Sequence, residues 1–251
     1  MTYLRPWEPL VGPEHVVKGD LLVLAPHPDD EVIGCGGLIA AHRELGHAVS
    51  VVVMTDGGKG DPTGGFGGAS YSDLRRGEAR EAARRIGGAE IEFLRHPDGG
   101  LAASADAVED LLRILDARRP ATVAFPSPFE VHPDHRATAL HLASAWPRLA
   151  ARPALLAYEI GGFMPANLLL DVTRFAERKA DAIRAYSSQL AHMDIPAKVG
   201  ALNLARTVNI ADAGVKACEA YCLVRSDRLA AYMAAAEATV RLVDGMGPFA
   251  G

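Results

Sequence analysis

Three cysteines in 251 residues, Cys35, Cys218 and Cys222, are too few for a disulfide framework, and none forms a CxxC pair. Basic charge is not in excess: 26 Lys and Arg face 31 Asp and Glu, a formal charge of −5. Nucleic acid is therefore a poor partner, because phosphate binding needs a basic stripe. No apolar run approaches the roughly 20 residues that cross a bilayer. The opening "MTYLRPWEPLVGPEH" lacks a basic segment followed by an apolar one, so no export signal is expected. Repeats and low-complexity blocks are missing too. These absences predict a cytoplasmic protein with reduced thiols, no membrane partner and no nucleic-acid partner. The sequence does not fix an oligomeric state, so a homo-oligomer stays open.

What is present is a core. The chain is 49% hydrophobic, enough for one domain over residues 1–251, divided into a core at 1–150 and extra sheet with a cap at 151–251. The first part alternates short β-branched runs with amphipathic segments. Strands are expected at Asp20–Pro26, Ala48–Thr55, Ile91–Arg95 and Ala121–Ser127, and helices at Glu31–Leu45, Ser72–Ile86 and Ala105–Arg118. The strands are apolar throughout, as in a parallel sheet covered by helices on both faces. The pattern predicts an α/β fold with a Rossmann-like, open, mostly parallel sheet. Later come short strands in "ALLAYEI" and "NLLLDVT" and helices at Arg174–Tyr186 and Arg228–Val243, expected as extra sheet and a cap.

Two strand ends carry polar residues that a fold alone does not need. "VLAPHPDDEVIGCGG" places His27, Asp29, Asp30 and Glu31 directly after the first strand. One acid could cap the following helix and another could gain from its dipole. Neither role explains a histidine with three consecutive, mutually repelling acids, so a bound cation is the economical reading. "FPSPFEVHPDHRATAL" places His132, Asp134 and His135 after the strand at Ala121–Ser127. Ligands of open α/β sheets bind beyond the C-terminal strand ends. There one imidazole could ligate a metal while the other stays free, with Asp134 as its partner. Three protein ligands with an open position is the arrangement of catalytic zinc. The Gly-rich stretch Asp56–Ser72 is of a length found in lids and disordered loops, and its position after a strand end favours a lid around Gly57–Gly68.

"HPDDE" followed about a hundred residues later by "HPDHRA" resembles the PIG-L/LmbE-like N-deacetylase family. "TDG" at Thr55–Gly57, Arg75 and Glu78 in an R-x-x-E helix start, "HPDGGL", "FAERKADAIRAYSSQ" and "GVKACEAYCLVR" are similar to further family segments. The resemblance implies a metal-dependent hydrolase that removes the N-acetyl group from an N-acetylglucosamine-containing molecule. It assigns His27, Asp30 and His135 to Zn2+, with Fe2+ possible, and Asp29 to the general base. It gives His132, paired with Asp134, to the oxyanion, and Arg75 and Asp98 to sugar contacts. The choice of Asp30 over Asp29 as ligand comes from the family, not from spacing. Arg75 could instead pair with Glu78 on the helix surface, and Asp98 could be a turn acid.

One departure is Glu130, at the position of a tyrosine found in some family members. Glu219 is expected to be a buried structural acid. Cys35, His42, His47, His96, His141 and His192 have no partner pattern and are expected to be structural or exposed. Three rival readings remain. One is an amidase of a thiol-sugar conjugate. Another is a non-haem iron oxygenase using the His27/Asp29 pair, which would ordinarily sit on a β-barrel. The last is a nucleotide-binding module around "GCGG", whose glycines do not fit G-x-G-x-x-G.

Overall fold

The structure, a computed structural model, describes residues 10–61, 64–65 and 68–245. In chain order the elements are β1 (Leu10–Val11), α1 (Pro13–Val16), β2 (Leu21–Ala25), α2 (Asp30–Glu44), β3 (Val49–Thr55), α3 (Gly68–Arg85), β4 (Glu90–His96), α4 (Ala107–Arg118), β5 (Thr122–Pro126) and α5 (Pro133–Ala145). They continue as β6 (Ala154–Tyr158), β7 (Leu168–Asp171), α6 (Ala176–Ile183), α7 (Ser187–Leu190), α8 (Ile195–Ala205), β8 (Cys218–Val224) and α9 (Leu229–Gly245). The eight strands form one sheet in the order β1-β7-β8-β6-β5-β2-β3-β4. Every pairing is parallel except those of β8 with β6 and β7. The expected α/β, Rossmann-like, mostly parallel architecture is therefore what the chain adopts.

The apolar strands work because both of their faces are covered. In β2, Val23 and Ala25 join a core with residues of α2, α3 and α6, while Leu22 and Leu24 join a second core with α4, α5 and α9. In β3, Val51 and Val53 divide from Val52 and Met54 in the same way. This is the period-two alternation of a strand with apolar residues on both sides. Burying a side chain of this size contributes about 1.5–3 kcal/mol.

The last third supplies the expected extra sheet and short covering helices. Its strands β6, β7 and β8 extend the same sheet, and the N-terminal β1 joins them at the edge beside β7. The covering elements there are α6, α7 and α8 on one face and α9 on the other. The expected helix at Arg174–Tyr186 breaks at Arg184, and α7 and α8 were not expected at all.

The "GCGG" glycines are packing positions inside α2. A Cβ at Gly34 would collide with Tyr158, one at Gly36 with Lys179 and one at Gly37 with Val172. Their absent side chains let β6 and α6 approach the helix, so the cluster is not a phosphate cradle. Glu219 is buried as expected, and accepts from Gly37 N at 2.6 Å, Leu38 N at 2.9 Å and Lys179 Nζ at 2.7 Å.

Candidate metal and hydrolytic site

The chain runs from β2 outward to β3 and β4, then returns to the other side of β2 for β5 and β6. The sheet order thus reverses between β2 and β5, and a crevice opens there beyond the carboxyl ends of the strands. His27, Asp29 and Asp30 follow β2, Lys59 follows β3, Asp98 follows β4, and Glu130, His132 and His135 follow β5. Two distant sequence motifs meet for this topological reason.

The three consecutive acids point in three directions. Asp30 Oδ2 lies 3.2 Å from His27 Nδ1 and 3.4 Å from His135 Nε2. Asp29 turns instead to Arg75, whose Nη2 donates to Asp29 Oδ2 at 2.9 Å. Glu31 accepts from Asp29 N at 3.0 Å and from the Tyr186 hydroxyl. Asp29 stands at the N-cap of α2, but its side chain makes no capping bond, and its φ is +126°. A non-glycine residue there stores about 1–3 kcal/mol of strain, held by its surroundings. Helix capping therefore does not account for Asp29. Arg75 holds the turn: Nη1 also donates to Gly57 O at 3.2 Å, and Nη2 to Pro28 O. Glu78, the alternative partner for Arg75, is instead engaged by Ser187 Oγ at 2.7 Å and by Ser188 N at 2.8 Å.

Each of the two histidines near Asp30 has a carboxylate on its other nitrogen. His27 Nε2 lies 3.2 Å from Asp134 Oδ2 and 3.3 Å from Asp98 Oδ1. His135 Nδ1 lies 3.3 Å from Glu130 Oε2. A carboxylate on one imidazole nitrogen fixes the proton there and leaves the opposite lone pair for a metal. His27 Nδ1, Asp30 Oδ2 and His135 Nε2 are then the free donors. Ligands about 2.0–2.2 Å from a tetrahedral ion stand about 3.3 Å apart, which the two separations from Asp30 match. Among the described residues, the groups whose donor atoms all lie within 4.8 Å of one another are His27, His132 and His135, and His27, Asp98 and Asp134, neither of which includes Asp30.

Asp134 differs from the expectation. Its carboxylate does not pair with His132. It faces His27 and accepts from Gly99 N at 2.6 Å and Leu101 N at 3.2 Å. The reason is that α5 starts at Pro133, so Asp134 lies in the first helical turn and its side chain swings towards the loop after β4. Only its backbone N–H reaches His132, at 3.2 Å from Nδ1. With Nδ1 accepting, neutral His132 carries its proton on Nε2. In the sequence Glu130 stands out only as a departure from a tyrosine. The usable signal is an acid five residues before His135, in a loop whose other polar residues are Ser127 and His132.

The electrostatics call for positive charge. Asp29, Asp30, Glu31, Asp98, Glu130 and Asp134 are all buried, with Arg75 as the buried cation among them. Burial alone would lower the His27 pKa, but Asp134, Asp30 and Asp98 overcome it and raise it to about 12. Burial likewise opposes ionisation of Asp30, but His135 and His27 bring its pKa down to about 2. Burial raises Asp29 to about 6 against the pull of Arg75. Burial, with the charges of His27 and His135, lowers His132 and favours its neutral form. The donor set, the carboxylate-backed imidazoles and the surplus of buried acids all fit a divalent cation.

His27, Asp29, Asp30, Arg75, Asp98 and His132 line one cavity of about 780 Å³. The loop at Gly57–Gly68 lies partly outside the described residues. Its first part is tied down: Asp98 Oδ2 accepts from Lys59 N at 2.9 Å, and Gly60 O accepts from Gln189 Nε2 at 3.2 Å. Among the described residues no helix is long and apolar enough to cross a membrane.

Comparison with known proteins agrees with the fold. The family described as PIG-L: GlcNAc-PI de-N-acetylase matches residues 22–146. A diacetylchitobiose deacetylase of Thermococcus kodakarensis is 32% identical over 119 residues, covering 46% of this chain and 45% of that protein. The "Probable N-acetyl-alpha-D-glucosaminyl L-malate deacetylase 2" of Bacillus subtilis is 30% identical over 186 residues, covering 69% and 84%. The solved structure of an N,N'-diacetylchitobiose deacetylase from Pyrococcus horikoshii superposes with a TM-score of 0.75 at 27% identity, over 83% of this chain and 85% of that one. A 4-oxalmesaconate hydratase of Pseudomonas putida is also similar, 36% identical over 103 residues, or 39% and 38% of the two chains. The chain spans about half the length of the first of these curated relatives.

Proposed function

The chain belongs to the PIG-L family, and we propose that it is a metal-dependent N-deacetylase of an N-acetylglucosamine-containing small molecule. The observation that carries this reading is the pair of carboxylate-backed imidazoles flanking Asp30, with strained Asp29 beside them. The oxygenase alternative needs Asp29 as a ligand of His27's metal, whereas Asp29 is bound to Arg75 on a mostly parallel sheet rather than in a β-barrel. Nothing favours the thiol-conjugate amidase over the amino-sugar reading.

We assign zinc to His27 Nδ1, Asp30 and His135 Nε2, with ferrous iron as the alternative ion. When bound, such an ion supplies Lewis acidity and makes water easier to deprotonate. Asp29 takes the proton of the water that attacks the acetamide carbonyl carbon. A base held near a pKa of 6 is unprotonated at neutrality, yet can return that proton to the departing amine nitrogen. His132 donates from Nε2 to the carbonyl oxygen as negative charge grows on it. Asp134 and Asp98 hold His27, Glu130 holds His135, and Arg75 holds Asp29. The C–N bond breaks, leaving acetate and a free amino sugar.

The test is acetate release from N-acetylglucosaminyl conjugates, with bound metal measured on the same sample and 4-oxalmesaconate as a parallel substrate. Stoichiometric acetate and amine from metal-loaded protein are expected. Water addition to 4-oxalmesaconate with no acetate from any conjugate would replace the hydrolase reading with a hydratase one.

A further inference from the structure

The cavity continues past its polar corner. A space of about 780 Å³ suits a whole drug-sized ligand more than one sugar ring. Its far wall is built mainly from Ile33, Ile160, Phe163, Met193, Val199 and Leu202, and Gln189 and Lys198 line the cavity beside them. Much of this wall is α8, whose only polar side chains are Lys198 and Asn203. Asn203 is consumed internally, by Lys179 Nζ at 3.1 Å and Cys218 O at 3.0 Å. A helix of that composition is ordinarily covered on all sides. Here Leu202 lines the open cavity, and at its mouth Met193 is 48% and Phe163 64% exposed. The Phe163 ring is not loose, for the Arg206 guanidinium lies 4.7 Å from its centroid and is itself bound to Glu159 Oε1 at 2.9 Å.

A polyol seated against these apolar side chains would lose water and find few partners, and unpaired polar groups are strongly rejected by such sites. An apolar group would gain by burial. Because the wall is continuous with the corner that holds His27 and Asp29, whatever presents an acetamide there must lay its remainder along α8. We infer that the substrate is an N-acetyl amino-sugar glycoside with an apolar aglycone, alkyl, acyl or aryl, seated against Phe163, Met193 and Leu202. The sugar end of this inference rests on the deacetylase reading; the apolar end rests on the wall alone.

The experiment compares kcat/KM for acetate release from the methyl, hexyl, phenyl and inositol glycosides of N-acetylglucosamine. Binding of hexyl glucosaminide, the product, is followed by calorimetry in parallel. The hexyl glycoside should exceed the methyl by about a hundredfold and the inositol conjugate by more. The hexyl-to-phenyl ratio shows whether the wall prefers alkyl or aryl groups. Leu202→Asp should cut the hexyl-to-methyl ratio at least about tenfold, and Met193→Gln, at an exposed position, serves if that variant does not fold. A hexyl-to-methyl ratio near one, or inositol as the preferred aglycone, overturns the inference and leaves deacetylation standing. If no glycoside yields acetate, the deacetylase reading falls and calorimetry decides. Hexyl glucosaminide binding with a negative heat-capacity change, weakened by Leu202→Asp, supports the apolar site, and no binding overturns it.

Discussion

His27 and His42 stand at opposite ends of the unit formed by β2 and α2, and both are buried. Burial pushes each towards the neutral form. At His42 nothing effective opposes it, and the pKa falls to about 4. Its Nδ1 lies 2.9 Å from Leu38 O, and its Nε2 has no partner among the described residues. At His27 three carboxylates reverse the outcome and raise the pKa to about 12. One end of the unit is thus built as ordinary core, and the other is built to hold positive charge. The difference is made by the carboxylates around the ring, nearby Asp30 and the distant Asp134 and Asp98, not by the histidines themselves.

The contrast breaks most severely if Asp29 is not the base. Asp29→Asn keeps the shape and removes the proton acceptor, so acetate release should fall about a thousandfold with metal content unchanged. Near-normal turnover by that variant would remove Asp29 from the mechanism.

At the opposite end, His42 predicts an acid weakness with no link to activity. The folded pKa is below the unfolded value of 6.5, so the native state binds fewer protons. The stability this contributes is complete above pH 6.5 and is lost as pH falls through about 4. Between those limits wild type should lose about 3 kcal/mol more than His42→Gln in urea unfolding. Equal losses would show that His42 does not titrate as core.

Glu130 sharpens the contrast from inside the site. Glu130→Gln keeps the bonds that the carboxylate accepts from Ile160 N at 2.7 Å and Gly161 N at 3.1 Å only in part, and weakens its hold on His135. Metal affinity should drop about 10–100-fold by competition with a chelator. Unchanged affinity would make Glu130 a loop brace only.

Much of this was legible in the sequence because it is local. Apolar strand runs and helix periodicity gave the sheet, and the two His-Pro-Asp stretches marked its active edge. Long-range pairings were not legible. Nothing in "LRRGEAR" says that Arg75 turns inward to Asp29 while Glu78 faces Ser187 and Ser188. Asp134 was expected on the neighbouring His132, but the first turn of α5 aims it at His27. In the sequence Tyr186 and Gln189 belong to a helix motif, whereas they brace Glu31 and Gly60 across the site. The apolar wall is not legible in the sequence because α8 has no amphipathic period to reveal which side is open.

Arg75 carries the smallest effect and the most diagnostic one, because two variants separate its charge from its shape. The base must be ionised to work, so the rate falls as pH drops through the Asp29 pKa. Burial is the main influence raising that pKa, and Arg75 is the main one opposing it. Arg75→Met leaves burial unopposed, and the acid limb of kcat/KM should move to higher pH by about one unit, a tenfold loss on that limb that fades at higher pH. Arg75→Lys keeps the charge but cannot reach Pro28 O, Asp29 and Gly57 O together, so its loss should be similar at every pH. Parallel pH profiles for both variants would mean that Arg75 only holds the turn. A shift in the methionine variant alone would show that its charge sets the base.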